Sequence, residues 1–138
     1  MSEEGTTPDL VALNRQAIEA GNRRDLDLLM KMYATGCVLD AEGLGTFDGR
    51  DAIRRFFEDM LDSFDHAVTE QVEFRDVGNG VGFLVARYSG RPLDGVGRVQ
   101  QRYASVTEWT EGLIVRATFR SDIDEARAAA ERLARERV

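Results

Sequence analysis

The stretch HAVTEQVEFRDVGNGVGFLVARYS, residues 66–89, decides the fold of this chain. On both sides of Gly78-Asn79-Gly80 its apolar and polar residues alternate with a period of two, which is typical of β-strands. Asn-Gly is the dipeptide most typical of a tight hairpin turn. We therefore predict two antiparallel strands, over residues 66–77 and 81–89, joined by this turn.

Downstream of the hairpin, the alternation continues in two further segments. It predicts strands over residues 97–109 and 113–121, which Glu111-Gly112 joins in another tight turn. Asp122 then stands where a helix N-cap is expected, with acidic residues early and arginines late in the segment that follows. This order of charges matches a helix dipole and predicts a final helix that runs to the chain end.

Upstream of the hairpin, apolar residues recur at helical spacing in three segments. An aspartate suited to capping precedes each segment: Asp9, Asp25 and Asp48. The first helix is predicted to end near residue 21, and Tyr33 belongs to the apolar stripe of the second. Between the second and third helices, we predict a short strand over residues 37–40 and a glycine-rich loop over residues 41–47.

The order of these elements predicts the architecture. Four long consecutive strands favour an antiparallel meander over βαβ units. A sheet covered by so few helices has to curl around them through bulges and glycine kinks. We predict an α+β fold, a cone-shaped, curved antiparallel sheet wrapped around the N-terminal helices, with a C-terminal helix and a pocket at the open end. Residues 1–8 are expected to be flexible and residues 9–138 to form a single domain.

Composition and charge restrict the classes of function. The 138 residues carry a formal net charge of −7, and a surface of this charge repels nucleic acid, so no nucleic-acid partner is expected. A single histidine and a single cysteine do not supply the usual ligands of zinc, and the chain has no glycine-rich nucleotide motif. We therefore expect no metal and no cofactor. Cys37, between apolar residues, is predicted to be a buried thiol.

The N-terminal residues and the length of the apolar runs indicate where in the cell the protein is expected. The N-terminal residues show no basic segment followed by an apolar one, so no signal peptide is predicted. No apolar run approaches the ~20 residues of a membrane-spanning helix. We expect a cytoplasmic protein without a membrane partner.

Several motifs of the chain resemble those of a known family. They are LLMKMYA at 28–34, CVLD at 37–40, FDGRDAI at 47–53, EGLIV at 111–115 and RSDIDEA at 120–126. Together they resemble the nuclear transport factor 2-like superfamily, most closely its SnoaL-like branch of polyketide cyclases and their ketosteroid isomerase relatives. The resemblance covers roughly residues 9–130 and implies the cystatin-like, ketosteroid isomerase-like roll. It does not imply one chemistry, because this superfamily includes isomerases, cyclases, dehydratases, epoxide hydrolases and non-catalytic binders.

Asp40 is the first candidate catalytic residue. It ends a short apolar strand before a glycine-rich loop, where its carboxylate could point into the mouth of the pocket. The resemblance places it where ketosteroid isomerases and similar polyether epoxide hydrolases carry their catalytic carboxylate, which suggests a general base. The alternative is an aspartate that caps the loop at the strand end.

Two departures from the family pattern argue against a true ketosteroid isomerase. The resemblance implies that such an enzyme needs a tyrosine on the first helix and a protonated acid on the third long strand, and the matching positions hold Ala17 and Ser105. His66, the only histidine, lies near where some relatives place a second acid–base group, and an imidazole suits proton transfer at neutral pH. The alternative for His66 is a solvated side chain at a strand edge.

A group of polar and aromatic side chains is predicted to contact a ligand. Tyr88, Gln101, Tyr103 and Ser105 lie at alternate or matching positions of adjacent strands, so that one register puts them on a single face. Packing in the core, with the hydroxyl bonded to water or backbone, is the favoured interpretation of Tyr103. Tyr33, in the apolar stripe of the second helix, and Phe57, in the core face of the third, are further candidates to line the pocket.

The last strand allows two orientations. Arg116, Thr118 and Arg120 alternate with Val115, Ala117 and Phe119. Hydrophobic patterning alone turns the apolar set inward. The resemblance implies the opposite, with residues 116, 118 and 120 facing the pocket and the apolar set in a homodimer through the outer face of the sheet. We favour the inward arginines, which would bind Asp40 or an anionic group of a substrate.

These patterns support two main hypotheses of function. The first is a cofactor-independent acid–base enzyme, an isomerase, cyclase or epoxide hydrolase, acting on a small apolar or amphipathic, polyketide-like molecule. Asp40 would be its base, His66 or a tyrosine its acid, and an arginine would stabilise developing charge. The second is a non-catalytic module that binds a small molecule or assembles as a dimer. A third possibility is a homodimer whose hollow is filled by side chains.

Overall fold

A computed structural model describes residues 9–137, whose elements follow the predicted order with one added strand. The helices are α1 Leu10–Asn22, α2 Leu26–Lys31, α3 Arg50–Asp62 and α4 Ile123–Glu136. The strands are β1 Tyr33–Ala41, β2 Gly45–Asp48, β3 Phe64–Gly78, β4 Val81–Pro92, β5 Val99–Thr110 and β6 Leu113–Arg120. The predicted flexible segment, residues 1–8, and residue 138 lie outside the described residues.

Within the described chain, three of the four helices begin at the predicted aspartate. The side chains of Asp9, Asp25 and Asp122 each accept a hydrogen bond from a backbone N–H group of the first turn, which otherwise has no partner. The prediction for α3 is wrong. Asp48 is the last residue of β2, and Gly49, at φ 92°, precedes the helix without a side-chain cap. Asp48 is held extended by strand pairing, so the turn into the helix falls on the glycine.

The six strands of residues 9–137 form one curved, unclosed sheet in the order β2-β1-β6-β5-β4-β3. Strands β3 to β6 are the predicted antiparallel meander, which confirms the α+β fold. Two features differ from the prediction. Strand β1 begins at Tyr33 and runs parallel to β6. Residues 45–47, expected in a loop, form β2 together with Asp48, because Gly43 and Gly45 at positive φ fold the chain back onto β1 in a hairpin.

The helices lie on opposite faces of the sheet. Helices α1, α2 and α3 cover the inner face, where Leu39, Ile53 and Trp109 belong to one buried cluster. Cys37 is buried in the same cluster, as predicted, and burial raises the pKa of its thiol. Helix α4 packs a row of alanines against the outer face of β4 and β5. Among the described helices, none is long and apolar enough to cross a membrane.

A β-bulge in β6 changes which residues face inward. Trp109 of β5 pairs with Ile114, whereas the preceding residue Glu108 pairs with Arg116, so that Val115 is an extra residue without an opposite partner. An extra residue shifts the alternation of the strand by one position. In β6, the even-numbered residue Ile114 therefore faces inward before the bulge. After the bulge, the odd-numbered residues Ala117 and Phe119 face inward.

Candidate functional site

A cavity of about 450 Å³ lies between the inner face of the sheet and helices α1 and α3. This volume is within the usual range of small-molecule sites, which is the pocket that the sequence predicted, and it disagrees with the third possibility, a hollow filled by side chains. The wall is largely apolar and aromatic, and includes Ala17, Ile18, Phe56, Phe57, Met60 and Ala117. Buried residues such as Trp109 and Ile114 close one end, and the exposed turn at residues 42–44 borders the open end.

Polar side chains of β5 run along the cavity from its open end to its closed end. Gln101, Tyr103 and Ser105 alternate on the inner face, and Tyr88 of β4 pairs directly with Gln101. The predicted shared face of these four residues is therefore confirmed. Thr107 continues the row toward the closed end and was missed, although it lies two residues beyond Ser105 in the same alternation.

Two buried hydroxyl groups of the cavity wall have no hydrogen-bond partner among the described residues. The Tyr33 side chain is 5% exposed and Ser105 is 2% exposed. Neither hydroxyl has a hydrogen-bond partner within residues 9–137, whereas Thr107 accepts a hydrogen bond from Trp109 Nε1 at 2.8 Å. Both Tyr33 and Ser105 line the cavity and can donate to a ligand.

Burial keeps the cavity tyrosines uncharged. It raises the pKa of Tyr103 to about 12 and that of Tyr33 further above the ordinary value of a phenol. Both rings are packed among aromatic neighbours, Tyr33 at 6.2 Å from Phe57 and Tyr103 at 5.5 Å from Phe119, measured between ring centroids. At neutral pH these phenols are therefore fixed donors rather than bases.

Side chains of α1 add polar groups that sequence reasoning missed. The buried Asn14 lines the cavity and donates from Nδ2 to Gln71 Oε1 at 2.8 Å. Asn22 pairs with both the N–H and the carbonyl of Thr69, at 2.8 and 2.9 Å, and so attaches α1 to the edge strand β3. The sequence did indicate that Asn14 faces the interior, because it lies four residues after Leu10 and thus within the apolar stripe of α1.

Charged groups lie at the open end of the cavity. Among the described lining residues, Glu42 is the one carboxylate and Arg120 the one cation. Glu42 accepts hydrogen bonds from the backbone N–H of Ser121 at 2.9 Å and from its hydroxyl. Leu44, 66% exposed, lines the cavity beside them. Charge is therefore confined to the rim of the site.

Asp40 does not line the cavity. Its neighbours Leu39 and Ala41 are buried on the inner face, so the alternation of β1 turns Asp40 to the outer face. There its carboxylate accepts a hydrogen bond from the Arg120 guanidinium at 3.3 Å, and about a third of each side chain is exposed. The expected position of Asp40 in the mouth of the pocket is therefore not found.

His66 is also outside the cavity. It lies at positive φ in a bulge of β3, its side chain is 73% exposed, and its Nε2 is 3.7 Å from the carboxylate of Asp65. The structure does not bring it near Asp40 or the buried hydroxyls. Its surroundings match the alternative interpretation, a solvated histidine at a strand edge.

The inward orientation favoured for Arg116, Thr118 and Arg120 of β6 is wrong for the first two of these residues. Ala117 and Phe119 line the cavity, while Arg116 and Thr118 do not. After the bulge at Val115, the alternation turns Ala117 and Phe119 inward, as hydrophobic patterning alone predicts. Arg120, at the strand end, contacts the rim of the cavity and extends to Asp40.

The outer face of the sheet is partly covered by α4, which contacts β3, β4 and β5. Ala117 and Phe119, expected in a dimer interface, lie in the cavity instead. A homodimer through the outer face stays a prediction. Helix α4 does not cover β1 and β6, so the outer face of these two strands is the part open to such an interface. Within residues 9–137, no cluster of three histidine, cysteine or acidic side chains could hold a metal ion.

Comparison with protein families identifies the class of this chain. A model of the SnoaL-like domain matches residues 14–117. The chain belongs to the SnoaL-like domain family, as the motifs at residues 28–53 and 111–126 suggested. No curated protein matches the sequence at a significant level.

Solved structures share the fold at low sequence identity. A protein of ketosteroid isomerase-like fold from Catenulispora acidiphila, in complex with trimethylamine, is 13% identical with a TM-score of 0.74, over 91% of this chain and 94% of that one. A candidate polyketide cyclase from Sinorhizobium meliloti is 22% identical with a TM-score of 0.67, over 86% and 100%. TerC, co-crystallised with polyporic acid, is 13% identical with a TM-score of 0.71, over 88% and 97%.

Proposed function

We propose that this SnoaL-like protein binds a small, largely apolar molecule in the cavity and releases it chemically unchanged. The observation that carries the proposal is the apolar cavity of about 450 Å³ with hydroxyl donors at its buried end and Asp40 on the opposite face of the sheet. Removal of apolar ligand surface from water drives such binding, and a few buried donors orient the ligand.

The solved relatives support a ligand-binding role without specifying the ligand. One of them was crystallised with trimethylamine and another with polyporic acid, which differ widely in size and chemistry. The fold thus accepts different molecules. In this chain, the cavity of about 450 Å³ favours a ring compound over a molecule as small as trimethylamine.

Binding can be tested with Nile red, an uncharged dye whose emission rises and shifts to the blue in apolar sites. We expect a saturable increase that fits one site per chain. Competition by a smaller ring compound, 2-acetylnaphthalene, should reverse it. An emission change that does not saturate, together with no heat of binding for 2-acetylnaphthalene in calorimetry, would remove the support for this function.

A second candidate function is acid–base catalysis with a tyrosine as the acid. The specific observation in its favour is that burial keeps Tyr33 and Tyr103 protonated, so that both could stabilise an oxyanion. The base would then be Glu42 at the rim, in place of Asp40. Solvent-exchange NMR can detect this chemistry. Incorporation of deuterium into the methyl group of bound 2-acetylnaphthalene, lost in Glu42→Gln and kept in Asp40→Asn, would favour the enzyme.

A further inference from the structure

Strand β3 forms one edge of the sheet. In the strand order of residues 9–137 it is the last strand, and it pairs on one side only, with β4. An edge strand presents backbone N–H and C=O groups to which a strand of another molecule can bind. With 15 residues, Phe64–Gly78, β3 is the longest of the described strands, so a long edge has to be protected.

Charges and irregular pairing already protect part of this edge. The register of β3 shifts at three points, which leave two regular stretches, residues 68–71 and 73–76. Three of the four residues in the second stretch are charged, and charged side chains oppose pairing at a sheet edge. The first stretch carries one charge, Glu70, and begins with Val68, which is 45% exposed. Residues 68–71 are therefore the part of the edge that is suited to pairing.

The side chain of Asn22 occupies this stretch. Its Oδ1 accepts a hydrogen bond from the N–H of Thr69 at 2.8 Å, and its Nδ2 donates to the carbonyl of Thr69 at 2.9 Å. A residue of a neighbouring antiparallel strand makes the same two bonds, because a hydrogen-bonded pair exchanges both N–H···O bonds. The amide of Asn22 thus takes the place of a paired strand.

The backbone groups that this amide covers fit a second copy of the same strand. When two β3 strands meet antiparallel about a two-fold axis at Thr69, each Thr69 can exchange both backbone bonds with the other. This register places Glu70 opposite Val68, so the negative charges of the two copies do not oppose each other. The edge is therefore self-complementary at this point.

We infer that the β3 edge at residues 68–71 is a pairing surface for a second copy of this chain and that the Asn22 side chain blocks it. While Asn22 is bonded to Thr69, the centre of the surface has no free donor or acceptor. This interface differs from a homodimer through the outer face, which leaves the edges of the sheet free. It is also independent of the proposed ligand binding.

Sedimentation of Asn22→Ala and Asn22→Ser tests the block, because neither new side chain can make both bonds. We expect the weight-average mass to rise with concentration to about twice that of the wild type, since a two-fold contact closes with two copies. Gln16→Ala is the matched control, because it removes an exposed amide from the same helix. It should keep the mass of the wild type.

A second substitution identifies the surface. The N–H of Thr69 points to Asn22 and not to β4, so Thr69→Pro removes the donor of the edge and keeps the pairing of β3 with β4. Asn22→Ala combined with Thr69→Pro should return to the mass of the wild type. Val68→Lys, which places a charge on the edge instead, repeats this test without a proline.

Hydrogen exchange at Thr69 measures the same block at the residue itself. In dilute Asn22→Ala, the amide of Thr69 should exchange at least about tenfold faster than in the wild type, because its hydrogen bond is lost. It should regain protection at the concentrations at which the mass rises.

Two results would overturn the inference. If both Asn22 variants keep the mass of the wild type at every concentration, the uncovered edge does not pair. If Asn22→Ala associates equally with and without the second substitution at residue 69 or 68, the contact lies on another surface.

Discussion

The Asp40 carboxylate accepts a hydrogen bond from the Arg120 guanidinium at 3.3 Å, between the neighbouring parallel strands β1 and β6. Asp40 lies outside the cavity, since it alternates with the buried, inward-facing Leu39 and Ala41, and Arg120 extends to it from the rim. The carboxylate that the resemblance implied as a base is thus hydrogen-bonded to Arg120 and does not line the cavity.

Replacement of Asp40 tests this placement directly. We expect Asp40→Asn to leave the dissociation constant of Nile red within about twofold of wild type. The free energy of unfolding should fall by at most about 1 kcal/mol, because exposed ion pairs contribute little. Urea unfolding and dye titration measure the two quantities. A large loss of dye affinity in a folded variant would show that Asp40 takes part in binding, which would contradict this placement.

Filling the cavity should abolish binding. Ala17 lies on α1 and its methyl group faces the hollow, so Ala17→Leu places three more carbon atoms where the ligand would lie. We expect Nile red affinity to fall at least about tenfold while stability is kept, since the added atoms occupy empty space. Ala128→Leu, at an exposed position of α4, is the control. Equal dye affinity in the two variants would place the dye elsewhere.

The glycine that precedes α3 should be sensitive to substitution. Gly49 has φ 92°, which side chains disfavour, although a Cβ atom there would meet nothing within 4 Å. We expect Gly49→Ala to lower the free energy of unfolding by about 1–2 kcal/mol through backbone strain. Gly36→Ala is the matched control, because a Cβ atom at Gly36 would also meet nothing within 4 Å and Gly36 has no positive φ. Equal unfolding midpoints for the two variants would argue against the turn as described.

High pH should destabilise the protein through its buried tyrosines. The pKa of Tyr103 is raised to about 12 by burial, while an unfolded chain releases the same proton near the ordinary pKa of about 10. Above that pH the unfolded state binds fewer protons than the folded state, so the free energy of unfolding falls as pH rises.

The contribution of Tyr103 can be separated by substitution. Between about pH 9 and pH 11, Tyr103→Phe should lose about 1 kcal/mol less stability than wild type. Urea unfolding at several pH values measures this difference. If the free energy of unfolding falls equally with pH in the two proteins, Tyr103 does not have the raised pKa that this prediction requires.

The sequence predicted most of the fold, because strand period, hairpin turns and helix caps are local signals. The alternation after residue 66 and the Asn-Gly turn correspond to β3 and β4, and Asp9, Asp25 and Asp122 cap their helices. The parallel pairing of β1 with β6 was missed, since it joins segments about eighty residues apart and depends on the whole sheet.

The site was predicted in part, because regular alternation along a strand is also a local signal. The polar row of β5 followed from regular alternation, which holds from Gln101 to Ser105. The orientation of β6 was predicted wrongly because we preferred the resemblance to hydrophobic patterning, which alone turns Ala117 and Phe119 inward. The bulge at Val115 was missed, because it arises from pairing with β5 and has no clear signal in the sequence.

The location of a bound ligand can be measured by intermolecular NOEs between 2-acetylnaphthalene and the methyl groups of the labelled protein. Binding between the helices and the inner face of the sheet predicts contacts from the aromatic protons to Ala17 and Ala117, which line the cavity. Contacts confined to Ala134, in the open groove between α4 and the turn after β3, would contradict it.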